Sequence, residues 1–378
     1  MGSQRLFRKT DPVFDLSQCR KLLVIRNKGI GDDVMALPAL RQLRAHMPHA
    51  QMDLLIRPCN STLFTDEGLF DRILIYERSC RTRVRGERQY DTRAMLRQIR
   101  AEKYDAAICL ISQEIALRLP FYGHVPVIVG NKTHDDRYDF LMTHILDSPW
   151  MEDVLMSPVD ACLDFVRQLG VPLQSTVPYG FCVPEESRSK VAAMRIAEAE
   201  NRPYAVIHPC SSNPNKSWAP ERFAIVADHL VSRYNLDVIV SGSASDIDVA
   251  GRVIAGATHR TRMRNFAGML SLPDAAALYE TSAIMVTVDS GPMHLADAVG
   301  TPLVALFLPW NRNCRPYRQP GAVVLPEDPV FSSLLDSPGD TEWVNYMLRI
   351  TVERVIQAVD DRASRLGLAA LGPVYNQG

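Results

Sequence analysis

The stretch Lys21-Leu-Leu-Val-Ile-Arg26, running directly into Asn27-Lys-Gly-Ile-Gly-Asp-Asp33, decides the fold. Its apolar run is short enough for a strand, and the glycines behind it permit a tight turn. Beyond the turn, Val34, Leu37, Leu40, Leu43 and Met47 recur at the spacing of one helical stripe. Pro38 falls early in that stripe, so the reading is either a bent first turn or a helix that begins near Leu37. The unit is strand, Gly-rich turn, helix.

The same alternation continues outward. Met52–Arg57 and Arg72–Tyr76 read as strands, Arg93–Lys103 as a helix, and Tyr104–Ile111 as a strand buried on both faces. A less regular middle follows. The pattern restarts at Tyr204–His208 (strand), Glu221–Tyr234 (helix) and Leu236–Ser241 (strand). It continues with helices at Asp246–Ala255 and Pro273–Thr281 and strands at Ala283–Thr287 and Leu303–Leu308. Val344–Ala363 carries apolar residues near helical spacing. Two such series, separated by the Pro/Glu/Ser-rich stretch Pro178–Pro203, predict two nucleotide-fold domains of the α/β class with parallel sheets.

At 378 residues the chain suits two domains. Hydrophobic residues at 47% and charged residues at 22% describe an ordinary globular protein. The 42 basic and 43 acidic side chains give a net charge of -1, against the basic excess of a dedicated nucleic-acid binder. No apolar run approaches the ~18 residues a membrane span needs, and the first twenty residues hold no secretory h-region, so a cytoplasmic location is expected. The eight cysteines are scattered singly without C-x-x-C spacing, which reads as reduced thiols.

Three turns hold the candidate chemistry. The first, around Gly29, Gly31, Asp32 and Asp33, is neither a Walker loop nor a G-x-G-x-x-G, since Val34 stands where the third glycine belongs. It suits close approach to a ligand or a helix capped by Asp32 or Asp33. The second, His208 to Pro220, offers Ser211, Ser212 and Lys216 ahead of a helix: hydroxyl donors, a point charge and a helix start for an anion, or a capped loop with a solvated lysine. The third is Asp289-Ser290-Gly291-Pro292-Met293-His294, where Pro292 opens a helix whose free N–H groups suit a phosphate.

Taken together and in order, these turns resemble glycosyltransferase family 9, the ADP-heptose:lipopolysaccharide heptosyltransferases. The stretches that carry the likeness are LLVIRNKGIGDDVMALPALRQLRAHMPHAQMDLLIRP, VIHPCSSNPNKSWAPERFAIVADHL and FAGMLSLPDAAALYETSAIMVTVDSGPMHLADAVGTPLVALF. The resemblance implies a GT-B fold, two Rossmann-like domains facing a central cleft. It assigns residues 1–185 to an acceptor domain, 186–340 to a nucleotide-sugar domain, and 341–378 to a helical tail packing back on the first. By resemblance, Asp32 is the catalytic base, with Gly29, Gly31 and Asp33 around it. Ser211, Ser212, Lys216, Asp289, Ser290, Gly291 and His294 face the donor.

The reaction so implied is inverting, metal-independent transfer of a heptose or related sugar from a nucleotide diphosphate sugar, ADP-heptose foremost, to an acceptor hydroxyl in lipopolysaccharide biosynthesis. No cofactor is called for. The partners implied are the donor and a glycan, glycolipid or small-molecule acceptor, with no nucleic acid and at most peripheral contact with the inner face of a membrane. A nucleotide-sugar epimerase and a non-catalytic nucleotide-sugar-binding protein are the alternatives. Two departures from the family pattern stand out. Cys109-Leu-Ile-Ser112 replaces a stretch that is often acidic, and Ser243-Ala-Ser-Asp246 offers only Ser245 or Asp246 as a ribose contact. Asp246 and Asp248 spell D-x-D, read as first-turn acids of a helix or as metal ligands. The arginines from Arg78 to Arg100 form a solvated face or a surface for an anionic acceptor or membrane.

Overall fold

Residues 14–26, 28–64, 68–76, 91–110, 114–132, 137–147, 156–175, 178–198, 202–326 and 343–370 are described by a computed structural model. The arginines at 78, 81, 83, 85 and 88 lie outside them. The chain divides into two units, Met1–Tyr179 and Gly180–Gly378.

The first unit holds a six-stranded sheet: β1 Lys21–Arg26, β2 Gln51–Ile56, β3 Arg72–Ile75, β4 Ala106–Cys109, β5 Val127–Asn131 and β6 His144–Leu146. Their order is β3-β2-β1-β4-β5-β6, with every pairing parallel. Among the described residues, four α-helices connect or cover them: α1 Ile30–His46, α2 Thr92–Glu102, α3 Glu114–Tyr122 and α4 Pro158–Gln168. α1 begins at Ile30 and continues through Pro38, so of the two readings the start near Leu37 does not hold. An interior proline costs an isolated helix ~3 kcal/mol. Here Val34–Leu40 is buried throughout, and α1 packs on α4, so tertiary burial outweighs the lost bond.

The second unit repeats the topology. Its strands are β7 Tyr204–His208, β8 Asp237–Val240, β9 Met263–Asn265, β10 Ile284–Val288, β11 Leu303–Leu306 and β12 Val323–Val324. The order is β12-β11-β10-β7-β8-β9, again all parallel. Its helices are α5 Glu185–Glu198, α6 Pro220–Tyr234, α7 Ile247–Gly256, α8 Leu272–Glu280, α9 Gly291–Val299 and α10 Val352–Arg365. α6 shows why they form. Pro220 sits in its first turn, Phe223, Ala224, Val226, Ala227, Leu230, Val231 and Tyr234 bury one face, and Asn235 ends it in the left-handed region at φ 54°.

The Pro/Glu/Ser-rich stretch contains α5. That helix is tied to α8 by ion pairs from Lys190 to Asp274 (2.5 Å) and from Arg188 to Glu280 (2.7 Å). The described part of the C-terminal segment contributes α10 to the second unit's own core: Val355, Val359 and Ala363 are fully buried among residues of α6, β11 and β12.

In both sheets the strand order reverses beside the first strand: at β1/β4 in one, at β7/β10 in the other. Ligands of doubly wound sheets bind outside the carboxyl ends of the strands at such a point. All three sequence turns follow strands that meet there.

Candidate active site

In the first unit, Arg26 ends β1 and is wholly buried. Its Nε donates to Asp33 Oδ1 at 3.0 Å, one Nη to the Leu110 carbonyl beyond β4 at 3.0 Å, and the other to the Asp32 carbonyl at 2.6 Å. Asn60 completes the enclosure, its Nδ2 donating to Asp33 Oδ2 (2.6 Å) and to the Lys28 carbonyl (3.1 Å). Burial pushes the Asp33 carboxyl above its ordinary range, and Arg26 and Asn60 oppose that shift. Asp33 is therefore a structural counter-ion, not a group presented to a ligand.

Asp32 is the half-buried carboxylate of this turn. The N-cap is Gly29, not either aspartate, and Asp32 reaches back from the helix so that its Oδ2 accepts the Gly29 N–H at 3.1 Å. A Cβ at Gly29 would lie 3.2 Å from that oxygen, so the glycine makes room for the carboxylate. Gly31 is buried in the first turn of α1. Burial pulls the Lys28 ammonium below its usual range while Asp32 pulls it back up.

In the second unit, Lys216 Nζ lies 2.7 Å from Asp289 Oδ2, and both are largely buried. Ser211 Oγ donates to the Asp289 carbonyl at 3.2 Å and accepts the Asn213 N–H at 3.4 Å. The loop after β7 is thus fastened to the end of β10, across the switch point. Ser290 is the N-cap of α9 but makes no side-chain capping bond, and its Oγ is buried with no hydrogen-bond partner. Gly291 opens the helix, Pro292 follows, and no acidic residue occupies the first turn. His294 is buried on that turn. Ser212 is exposed on the loop.

A neutral polar cluster lies at the end of β7 in the same unit. His208, at the end of β7, places Nδ1 3.1 Å from Ser241 Oγ, which lies 3.3 Å from Tyr279 Oη. Burial drives the His208 imidazole down to about 4, so it is neutral at pH 7. Burial likewise pushes the Cys210 thiol up to about 12, beside Asp246, and leaves it unreactive. Asp246 is spent on capping: its Oδ2 accepts both the Ser243 N–H (2.7 Å) and hydroxyl (2.6 Å). Although burial opposes it, these bonds hold the Asp246 carboxyl below its ordinary value. Ser245 Oγ is 2.8 Å from Ser243 Oγ in the same turn. Asp248 is exposed in the first turn of α7. No group of three or more metal-ligating side chains gathers among the described residues.

The structure brings Ser211, Lys216, Asp289, Ser290 and Gly291 together, and separately Gly29, Gly31, Asp32 and Asp33. Sequence reasoning missed Arg26, Asn60 and His208, and it assigned no role to Trp218. The one available signal was Arg26, a charge closing an otherwise apolar strand.

Two doubly wound parallel units with polar residues gathered at their switch points define an α/β enzyme of the GT-B class. The chain belongs to glycosyltransferase family 9 (heptosyltransferase), whose family model matches residues 92–325. It is accordingly a glycosyltransferase. Among its relatives, lipopolysaccharide heptosyltransferase 2 of Salmonella typhimurium is 24% identical over 357 residues, covering 92% of this chain and 100% of that one. A solved family 9 glycosyltransferase from Veillonella parvula superposes with a TM-score of 0.73 at 22% identity, covering 92% of this chain and 97% of the other. The solved E. coli ADP-heptose lps heptosyltransferase II gives 0.70 at 22% identity, covering 91% and 99%. No helix among the described residues is long and apolar enough to cross a membrane.

Proposed function

We propose that the enzyme transfers a heptose from ADP-heptose to an acceptor hydroxyl, with inversion at the anomeric carbon and without a metal ion. The observation that carries this reading is the Lys216–Asp289 pair beside the uncapped start of α9. Asp289 anchors the ammonium through one proton and leaves the others for the donor's diphosphate. The N–H groups of the first turn of α9 add a partial positive charge.

In this reading Asp32 takes the proton of the acceptor hydroxyl as its oxygen bonds to the anomeric carbon. The bond from that carbon to the diphosphate breaks, and ADP leaves with the electron pair. Lys216, the Ser211 and Ser212 hydroxyls and the α9 N–H groups stabilise the charge that grows on the leaving group. His294 orients the diphosphate or a sugar hydroxyl. The charge work falls to side chains and a helix start, with Asp246 and Asp248 as helix-end acids. The names of the relatives, lipopolysaccharide heptosyltransferases, support a lipopolysaccharide acceptor, a glycan or glycolipid.

The test is ADP-heptose with a core-oligosaccharide acceptor in excess EDTA, with products identified by mass and by anomeric configuration. Transfer with inversion that persists in EDTA is the expected result. Loss of activity restored by manganese or magnesium would return Asp246 and Asp248 to candidacy as ligands. Conversion of the donor alone to an isomeric nucleotide sugar would mark an epimerase, and donor binding with no turnover a binding protein.

A further inference from the structure

We infer that the segment Trp343–Ile350 is a positioning element for the loop that carries Lys216, acting through Trp218 and Arg222. This rests on the reading that Lys216 binds the donor's diphosphate.

The loop has few anchors of its own. Within it, the Lys216 N–H bonds to the Asn213 carbonyl and the Ser217 N–H to the Pro214 carbonyl, each at 3.0 Å. These bonds shape one short turn and fix it to nothing else. Ahead of the turn, Ser211 fastens the loop to the end of β10. Behind it, Trp218 is buried, and its Nε1–H donates to the Ile350 carbonyl at 3.0 Å. Arg222, in the first turn of α6, donates from Nη1 to the Leu348 carbonyl at 2.6 Å and to the Ile350 carbonyl at 3.0 Å.

The Trp218 ring meets Phe223 edge-on at 4.9 Å, with the Arg222 guanidinium 5.8 Å from its centroid. The turn Pro214–Lys216 packs directly against the turn Trp343–Arg349. That partner is itself immobilised, since Tyr346, Met347 and Ile350 are buried in the second unit's core. Lys216 is therefore slung between two fixed points, and the second is supplied by a segment more than a hundred residues later in sequence. Only Ser217 separates Lys216 from Trp218, so a shift of the indole moves the ammonium relative to Asp289. Positioning errors of this size are costly where a charge must meet a preformed anion site.

Trp218→Phe keeps an aromatic ring beside Phe223 but removes the indole N–H together with part of the buried ring system; the adenosine arm reads any general damage from that lost volume. Arg222→Lys keeps the charge and loses the fork. Full-length wild type, each single variant, the double variant and Lys216→Ala are compared by calorimetry with ADP, inorganic pyrophosphate and adenosine. The double variant should bind ADP and pyrophosphate about tenfold more weakly, the equivalent of one net hydrogen bond, with adenosine unchanged. The donor KM should rise by a similar factor, with each single variant intermediate. ADP affinity within twofold of wild type in the double variant, or equal losses for ADP and adenosine, overturns the inference. If Lys216→Ala weakens ADP binding while the Trp218 and Arg222 variants do not, the diphosphate reading stands and only the positioning role falls. If Lys216→Ala leaves ADP binding intact, the diphosphate reading fails and the inference fails with it.

Discussion

The turn after β1 and the turn after β10 begin alike, each leaving a buried strand at a switch point and opening a helix beside a glycine. Their charges are then used in opposite ways. At α1, Asp32 and Asp33 both lie in the first turn, Asp32 accepts the Gly29 N–H, and Asp33 is locked to Arg26. The positive end of that helix is offset from within. At α9 the first turn has no acid, Ser290 makes no capping bond, and the nearest carboxylate, Asp289, is paired with Lys216. One helix end is arranged to hold a carboxylate steady, the other to receive an anion from outside. In the proposed function, the same topology serves as a base holder in one unit and an anion receiver in the other.

The comparison breaks most visibly at Arg26. Arg26→Met should cost ~3–5 kcal/mol of stability by chemical denaturation, because it leaves Asp33 buried without its cation. Arg26→Met with Asp33→Leu should recover most of that loss. A double variant as unstable as the single one would mean that the bonds to the Asp32 and Leu110 carbonyls, not the ion pair, hold the turn.

A second effect belongs to the second unit. Burial holds the His208 imidazole at about 4, against an ordinary 6.5, so the unfolded chain binds its proton first on acidification. That contribution is complete above pH 6.5 and drains away as pH falls toward 4, amounting to about 3 kcal/mol across the range at 1.36 kcal/mol per pKa unit. Denaturation series at pH 8 and pH 4 on wild type and His208→Gln should differ by that slope. Parallel slopes would show that the buried imidazole is not the acid-sensitive group.

Asp32→Asn comes next. The amide oxygen can still accept the Gly29 N–H, so the variant removes the negative charge and leaves the cap in place. Turnover should fall ~100-fold or more, with donor affinity within a few-fold. Near-normal turnover would reduce Asp32 to a helix-end residue.

Lys216→Ala is expected to have the smallest effect, ~1.5–3 kcal/mol of ADP binding with adenosine spared. The Asp289 carboxylate, deprived of the Lys216 charge, should place the value near the upper end, and adding Asp289→Asn should restore part of it. Equal losses for ADP and adenosine would signal damage to the domain.

Much of this architecture was legible because periodicity and turn chemistry agree along the chain. The β1 run and its Gly turn, the α6 stripe ending at Asn235, and the apolar strand before Asp289 each announce their element locally. The middle of the first unit was not legible. β6 is three residues long, and α3 contains Pro120 and no polar face of clear period, so neither pattern stands out. The site was legible as three turns and a family likeness, but the roles within it were not. Asp32 and Asp33 are adjacent and chemically identical. Only burial against Arg26 and Asn60 makes one a counter-ion and leaves the other at the surface of the turn.

By itself, the sequence determined the alternation of strands and helices, the glycines and prolines that punctuate it, and the residue types available at each turn. These depend on neighbours three or four positions apart, and neighbours in sequence remain neighbours in the fold. The tertiary structure decided which charges are consumed and which are left to act. It alone joins Lys216 to Asp289, fastens Trp218 to the Ile350 carbonyl, and seats α10 in the second unit. Such pairings join residues far apart in the chain. Their strength comes from removal of both partners from water, a condition set by everything packed around them.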